Sequence, residues 1–182
     1  AMYAVRAAFL RRAVSGLEPN NAQGELYFTD AVALAASEGG AIAVRASDPG
    51  SLVGINDRAQ LARAESVLHA RIADAHRRAG VTIRSSAIVD AEVELEPDAV
   101  LEHGVVLRGR TKVGRGAKVD VGSVLSDVVV EEGAQLLPYT VATRSIIRSR
   151  AQTGPFSHLR PESDIGSEAH VGNFVETKKT TM

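Results

Sequence analysis

"IRSSAIVDAEVELEPDAVLEHGVVLRGRTKVGRGAKVDVGSVL", residues 83 to 125, decides the fold. Ile83, Val89, Leu95, Leu101, Leu107, Val113, Val119 and Leu125 are all aliphatic and stand six residues apart without a miss. Two residues before most of them is a small or β-branched side chain: Ala87, Val93, Ala99, Val105, Thr111, Ala117 and Ser123. Glycine falls at intervening positions, Gly104, Gly116 and Gly122. A helix spaces its apolar residues three and four apart, and a plain hairpin alternates every second residue, so a strict period of six suits neither. It suits a parallel β-helix. There each hexad supplies a short strand and a corner, three hexads close a triangular coil, and the aliphatic position points into a stacked prism. A set of β-hairpins that share one spacing is the competing reading.

Working outward, the pattern slips by one residue, resumes through Val130 and Leu136, slips again, and continues as Val141, Ile147, Thr153, Leu159, Ile165 and Val171. From Ile83 to Val171 this predicts about five coils. The sequence before Ile83 is of another kind. "TDAVALAASEGG", residues 29 to 40, predicts a helix with Thr29 as its N-cap and a glycine pair at its end. "AIAVRA", residues 41 to 46, reads as a short strand closed by the turn cluster "SDPGS". Asn56 or Asp57 can cap a long helix that ends at Gly80, with Leu61, Leu68, Ile72 and Ala75 on one stripe. That helix reads as a connector, and the short segment before it as the tail of an α/β domain.

The 182-residue chain carries a formal net charge of -1, so no whole-chain field draws it to nucleic acid or anionic lipid, and any anion site must be local. It has no cysteine, which removes disulfides, thiolate metal sites and cysteine nucleophiles, and fits a reducing cytoplasm. Arginines interrupt the apolar N-terminal stretch "AMYAVRAAFLRRAVSGL", so neither a signal peptide nor a membrane span is expected.

Four motifs, "NNAQGELYFTD" (20 to 30), "GINDRAQLA" (54 to 62), "GPFSHLRPES" (154 to 163) and "HVGNFVETKK" (170 to 179), resemble in order and spacing the bifunctional N-acetylglucosamine-1-phosphate uridyltransferase/glucosamine-1-phosphate acetyltransferase family, GlmU. The resemblance runs from about Tyr3 to the end of the chain. It implies a Rossmann-like nucleotidyltransferase domain, of which residues 1–56 would be the C-terminal part. A long connecting helix at 57–80 would follow, and then a left-handed parallel β-helix at 81–182, truncated at its C-terminal side. It also implies a homotrimer in the cytoplasm that uses a sugar phosphate, UTP and acetyl-CoA, with Mg2+ as cofactor.

Residue by residue, Arg160 matches the arginine that holds the sugar phosphate and Lys178 a lysine that contacts the same substrate. Asn56 matches an asparagine that binds the metal. A carboxamide oxygen is a legitimate hard ligand for Mg2+, but such a site also needs a carboxylate, and capping the connector is the other reading of Asn56. The glycine-rich phosphate loop, the metal aspartate, the base histidine and the acetyl-CoA loops of the family have no counterpart here. The comparison therefore implies a central section of the enzyme, without either complete active site and with no catalytic residue to assign. His158 is expected to be exposed and His170 to be a structural corner residue. A non-catalytic trimerisation module is the alternative. A different hexapeptide-repeat acyltransferase fits less well, because the last two motifs occur together with the uridyltransferase tail.

Overall fold

In the computed structural model, which describes residues 2–182, Thr82 to Thr177 forms seventeen strands of two or three residues in three parallel sheets of six, six and five strands. The first face stacks Thr82–Ile83, Val100–Leu101, Lys118–Val119, Gln135–Leu136, Gln152–Thr153 and His170–Val171. The second stacks Ile88–Val89, Val106–Arg108, Val124–Ser126, Val141–Thr143, His158–Leu159 and Glu176–Thr177. The third stacks Glu94–Leu95, Lys112–Val113, Val129–Val130, Ile146–Ile147 and Asp164–Ile165. Each strand pairs with the strand one coil away, so this is the expected parallel β-helix and not a set of hairpins.

The interior is built as the hexads require. Leu101, Leu107, Leu125, Leu136, Ile147, Leu159 and Ile165 are fully buried, while Leu95, near the open start of the prism, is only partly so. The small residues two places earlier form a second inward column: Ala99, Val105, Thr111, Ala117 and Ser123 are each 0% exposed. The residue just before a member of that column commonly has positive φ, as at Asp98, Gly104, Gly116, Gly122, Tyr139 and Phe156. This left-handed twist turns the chain from one face to the next. At Gly122 (φ 68°) glycine is also required for space, because a Cβ would lie 2.5 Å from the Tyr139 ring one coil on.

One inward position differs from expectation. Val141 is 38% exposed and Ala142 is 1% exposed, since Leu125 pairs with Ala142 and Ala142 with Leu159. The second slip therefore falls between Ala142 and Ile147, not between Leu136 and Val141. Hydrophobicity alone prefers valine to alanine, whereas the pairing partners set the phase of the strand. Both shortened steps, Leu125 to Val130 and Ala142 to Ile147, lie at the corner between the second and third faces. Each turns there through a residue of positive φ, Asp127 or Arg144.

The chain divides into two compact units, the second running Arg58–Met182, so the long helix Arg58–Arg78 belongs with the prism. It docks by its C-terminal turns on the strands Thr82–Ile83 and Ile88–Val89. Ala73 is buried and Ile72 packs against the core, while Arg77 donates from Nε and Nη2 to the Ile83 carbonyl at 3.2 and 3.0 Å. Of the expected stripe only Ile72 packs on the core: Leu61 and Leu68 are each 52% exposed, and Ala75 is exposed as well. Only the last turns reach the first coil, and small Ala73 allows the closest approach there.

The first unit, which closes at Asp57, consists of the helices Ala7–Ser15 and Phe28–Ser37 and a 3-10 turn at Pro49–Leu52. Ala13 and Ala31 are buried in it, and the Tyr3 and Phe28 rings meet edge-on at 5.0 Å. The second helix starts with Tyr27 at its cap position and no side-chain cap, so Thr29 sits inside the first turn and does not cap it. The strand expected at 41–46 is absent: Ile42 and Val44 are 89% and 86% exposed, and no strand among residues 2–57 offers an edge to pair with. The expected α/β segment is thus helical only. Among the described residues no helix is long and apolar enough to cross a membrane.

Candidate functional site

Arg160 follows directly on the strand His158–Leu159 of the second face, and Lys178 follows on the neighbouring strand Glu176–Thr177. His158 pairs with Glu176 and Leu159 with Thr177, so Arg160 and Lys178 occupy the next step of the same register. Backbone hydrogen bonding continues through that step, with Arg160 N donating to Thr177 O at 2.9 Å. Leu159 and Thr177 are buried, and strand alternation sends His158, Arg160, Glu176 and Lys178 outward. Two cationic side chains thus leave the same corner one coil apart, about 4.8 Å by the spacing of paired strands.

Their surroundings fix one and leave the other open. Arg160 Nη1 donates to Glu176 Oε1 at 2.9 Å, and His158 Nδ1 lies 3.6 Å from Glu176 Oε2. The hydrogen bond from Arg160 holds the Glu176 carboxyl below the usual carboxylate range, with the Arg160 and His158 charges helping and desolvation opposing. The Arg160 backbone is pinned from inside the prism: its carbonyl accepts from Ser163 Oγ at 2.7 Å and Ser145 Oγ at 3.1 Å, and Thr177 Oγ1 donates to Ser163 Oγ at 2.9 Å. Lys178 is exposed, and its ammonium has no ion-pair partner among the described residues. Such a site can receive an anion, with a planar fork held from behind and a free point charge beside it.

The sequence reading named the two cations but missed Glu176, Ser145 and Ser163. The signal for Glu176 was available, since one 18-residue coil separates it from His158. His158 is exposed as expected. His170 is not a corner residue: it lies in the strand His170–Val171 of the first face, exposed, just before inward Val171. At the corner between the first and second faces, the rings of Tyr139, Phe156 and Phe174 stack at centroid spacings of 5.2 and 5.3 Å. Asn56 is an exposed residue of the first unit. Among the described residues no three of His, Cys, Asp or Glu come together to hold a cation, and a single carboxamide such as that of Asn56 does not make a Mg2+ site.

Across its full length the chain is 67% identical to the bifunctional protein GlmU of Sorangium cellulosum (strain So ce56). The chain is a homologue of GlmU. Identity to the GlmU of Anaeromyxobacter sp. (strain Fw109-5) is 48%, again over the whole chain. The chain spans 38% and 37% of the length of these two GlmU proteins. No family model matches it. Among solved structures it is similar to the X-ray structure of a GDP-perosamine N-acetyl transferase from Caulobacter crescentus in complex with CoA and GDP-perosamine. That likeness has a TM-score of 0.55 over 64% of this chain and 59% of the other. At 21% identity it is one of fold, and it agrees with the hexapeptide-repeat prism.

Proposed function

We propose that the chain serves in making UDP-N-acetylglucosamine, as part of a GlmU-type enzyme that acetylates glucosamine 1-phosphate from acetyl-CoA and then transfers a uridylyl group from UTP. The observation that carries this reading is the 67% identity along the whole chain, which includes a corner where Arg160 and Lys178 stand in register. In this reading Arg160 pairs two phosphate oxygens of the sugar phosphate through its fork and Lys178 adds a point charge. Ser145 and Ser163 hold the Arg160 backbone and Glu176 holds its guanidinium, so little side-chain freedom remains to be lost on binding.

Residues 1–56 are then the C-terminal part of a nucleotidyltransferase domain, 57–80 its connector and 81–182 the acetyltransferase β-helix, in a cytoplasmic homotrimer. Uridylyl transfer of this kind uses Mg2+ to neutralise phosphate charge. The residues present do not hold that ion, and Asn56 has no step assigned to it.

Titration of glucosamine 1-phosphate into the chain, followed by 31P NMR, tests the reading. Weak, salt-sensitive binding is expected, and Arg160→Ala should weaken it about 10-fold or more, since hydrogen bonds to charged groups contribute about 1.5–3 kcal/mol. Equal binding by the chain and by Arg160→Ala would overturn the assignment.

A further inference from the structure

The prism contains twelve lysines and arginines from Arg84 onward, and eight of them pair with a carboxylate. The four that do not, Arg108, Arg110, Arg144 and Lys178, all lie at one of the three corners, that between the second and third faces. This is also the corner of Arg160. From the GlmU reading of Arg160 and Lys178 as phosphate ligands, on which this rests, we infer that Arg144 is a guiding residue for the phosphate. It raises the local concentration of anion through space and does not touch the bound group.

The register gives the distances. Arg108, Ser126, Thr143, Arg160 and Lys178 form one outward column, a residue per coil, because Arg108 pairs with Ser126 and Ser126 with Thr143, and the pairing of Ala142 with Leu159 carries Thr143 to Arg160. Arg144 is next to Thr143. It therefore lies one coil below Arg160 and one residue aside, about 8 Å from a phosphate seated midway on the pair, whereas Arg108 lies three coils below Arg160, about 17 Å from the same phosphate. The acids of the corner are engaged elsewhere. Asp127 accepts from Arg110 N at 3.0 Å, Glu162 faces Lys179 at 3.8 Å, and Glu176 is held by Arg160. The Arg144 guanidinium is exposed and has no hydrogen bond or ion pair to displace among the described residues.

Distance and salt decide what each cation does. For a doubly charged phosphate in water, removing one charge at 8 Å weakens binding about 4-fold at 10 mM salt and about 2-fold at 150 mM. At 17 Å the same change gives about 1.6-fold at 10 mM and nothing measurable at 150 mM. Arg144 is thus the only one of the three unpaired arginines, among the described residues, that is placed next to the pair without being part of it.

The test titrates glucosamine 1-phosphate at 10 and 150 mM salt into the unmutated chain, Arg144→Gln, Arg144→Lys, Arg108→Gln and Arg160→Ala, with circular dichroism to confirm the fold. Arg144→Gln should follow the 4-fold and 2-fold pattern, Arg144→Lys should bind like the unmutated chain, and Arg108→Gln should differ only at 10 mM. Three outcomes would overturn the role of Arg144 while leaving the pair intact: no loss in Arg144→Gln at 10 mM, a loss that does not change with salt, or a loss equally large in Arg144→Lys. Unchanged binding by Arg160→Ala would instead remove the phosphate site on which the role depends.

Discussion

Exchanging either Val141 or Ala142 for aspartate separates two registers that differ by one residue. Ala142 is 1% exposed between Leu125 and Leu159, and no donor lines that column. An aspartate there must be buried ionised or take up a proton. Burying an unpaired charge costs about 3–5 kcal/mol. The proton route costs about 1.4 kcal/mol per pH unit above the ordinary carboxyl value near 3.9, hence about 4 kcal/mol at pH 7 and about 1 kcal/mol at pH 4.5. Ala142→Asp should therefore lose about 4 kcal/mol at neutral pH, with most of that penalty disappearing relative to the unmutated chain as the pH falls toward 4.5. Val141 already meets water, and Val141→Asp should cost under about 1 kcal/mol, with little pH dependence. Urea unfolding followed by far-ultraviolet circular dichroism at both pH values measures each difference. If Val141→Asp were the more damaging change, or if the Ala142→Asp penalty did not shrink with acid, the register would be wrong.

Two more outcomes are expected. Thr153 is 0% exposed and its Oγ1 has no hydrogen-bond partner, so isosteric Thr153→Val should leave stability unchanged or raise it by up to about 2 kcal/mol in the same urea assay; a loss would show that the hydroxyl is bonded. His76, in the last turn of the long helix beside Arg77 and Arg78, has its pKa lowered from 6.5 by burial, so the fold prefers the neutral ring. That contribution is complete above pH 6.5 and is lost as the pH falls through the lowered value. Protection of the helix amides, corrected for their intrinsic exchange rate, should therefore fall in acid more in the unmutated chain than in His76→Gln.

The prism was legible because its period is strict: one aliphatic residue every six has no helical or hairpin solution. The misplaced register at Val141 shows where that legibility stops. Two adjacent aliphatic residues both suit the pattern, and the choice is made by Leu125 and Leu159, seventeen residues away on either side, which no local reading weighs. The helix face was misjudged for a related reason, because Leu61 and Leu68 make a good stripe but the first coil meets the last turns of the helix, where Ile72, Ala73 and Arg77 stand. At residues 41–46 the alternation is strand-like, yet a strand needs a second edge and none is present among residues 2–57. Arg160 and Lys178 were found through motif, while Glu176 and the two serines needed the coil length, which turns an interval along the chain into a contact.

The two five-residue steps bear on how such a prism changes length. Inward and outward positions alternate only along the strands, so a residue removed at a corner shifts nothing on the faces, whereas one removed within a strand would turn its interior outward. The corner between the second and third faces has taken that loss twice, at Asp127 and at Arg144, and the columns above and below remain aligned. It serves as the expansion joint of the repeat, where a step can lose a residue while the core columns stay in register. A corner set on that joint can gain or lose side chains such as Arg144 while the wall behind it stays fixed.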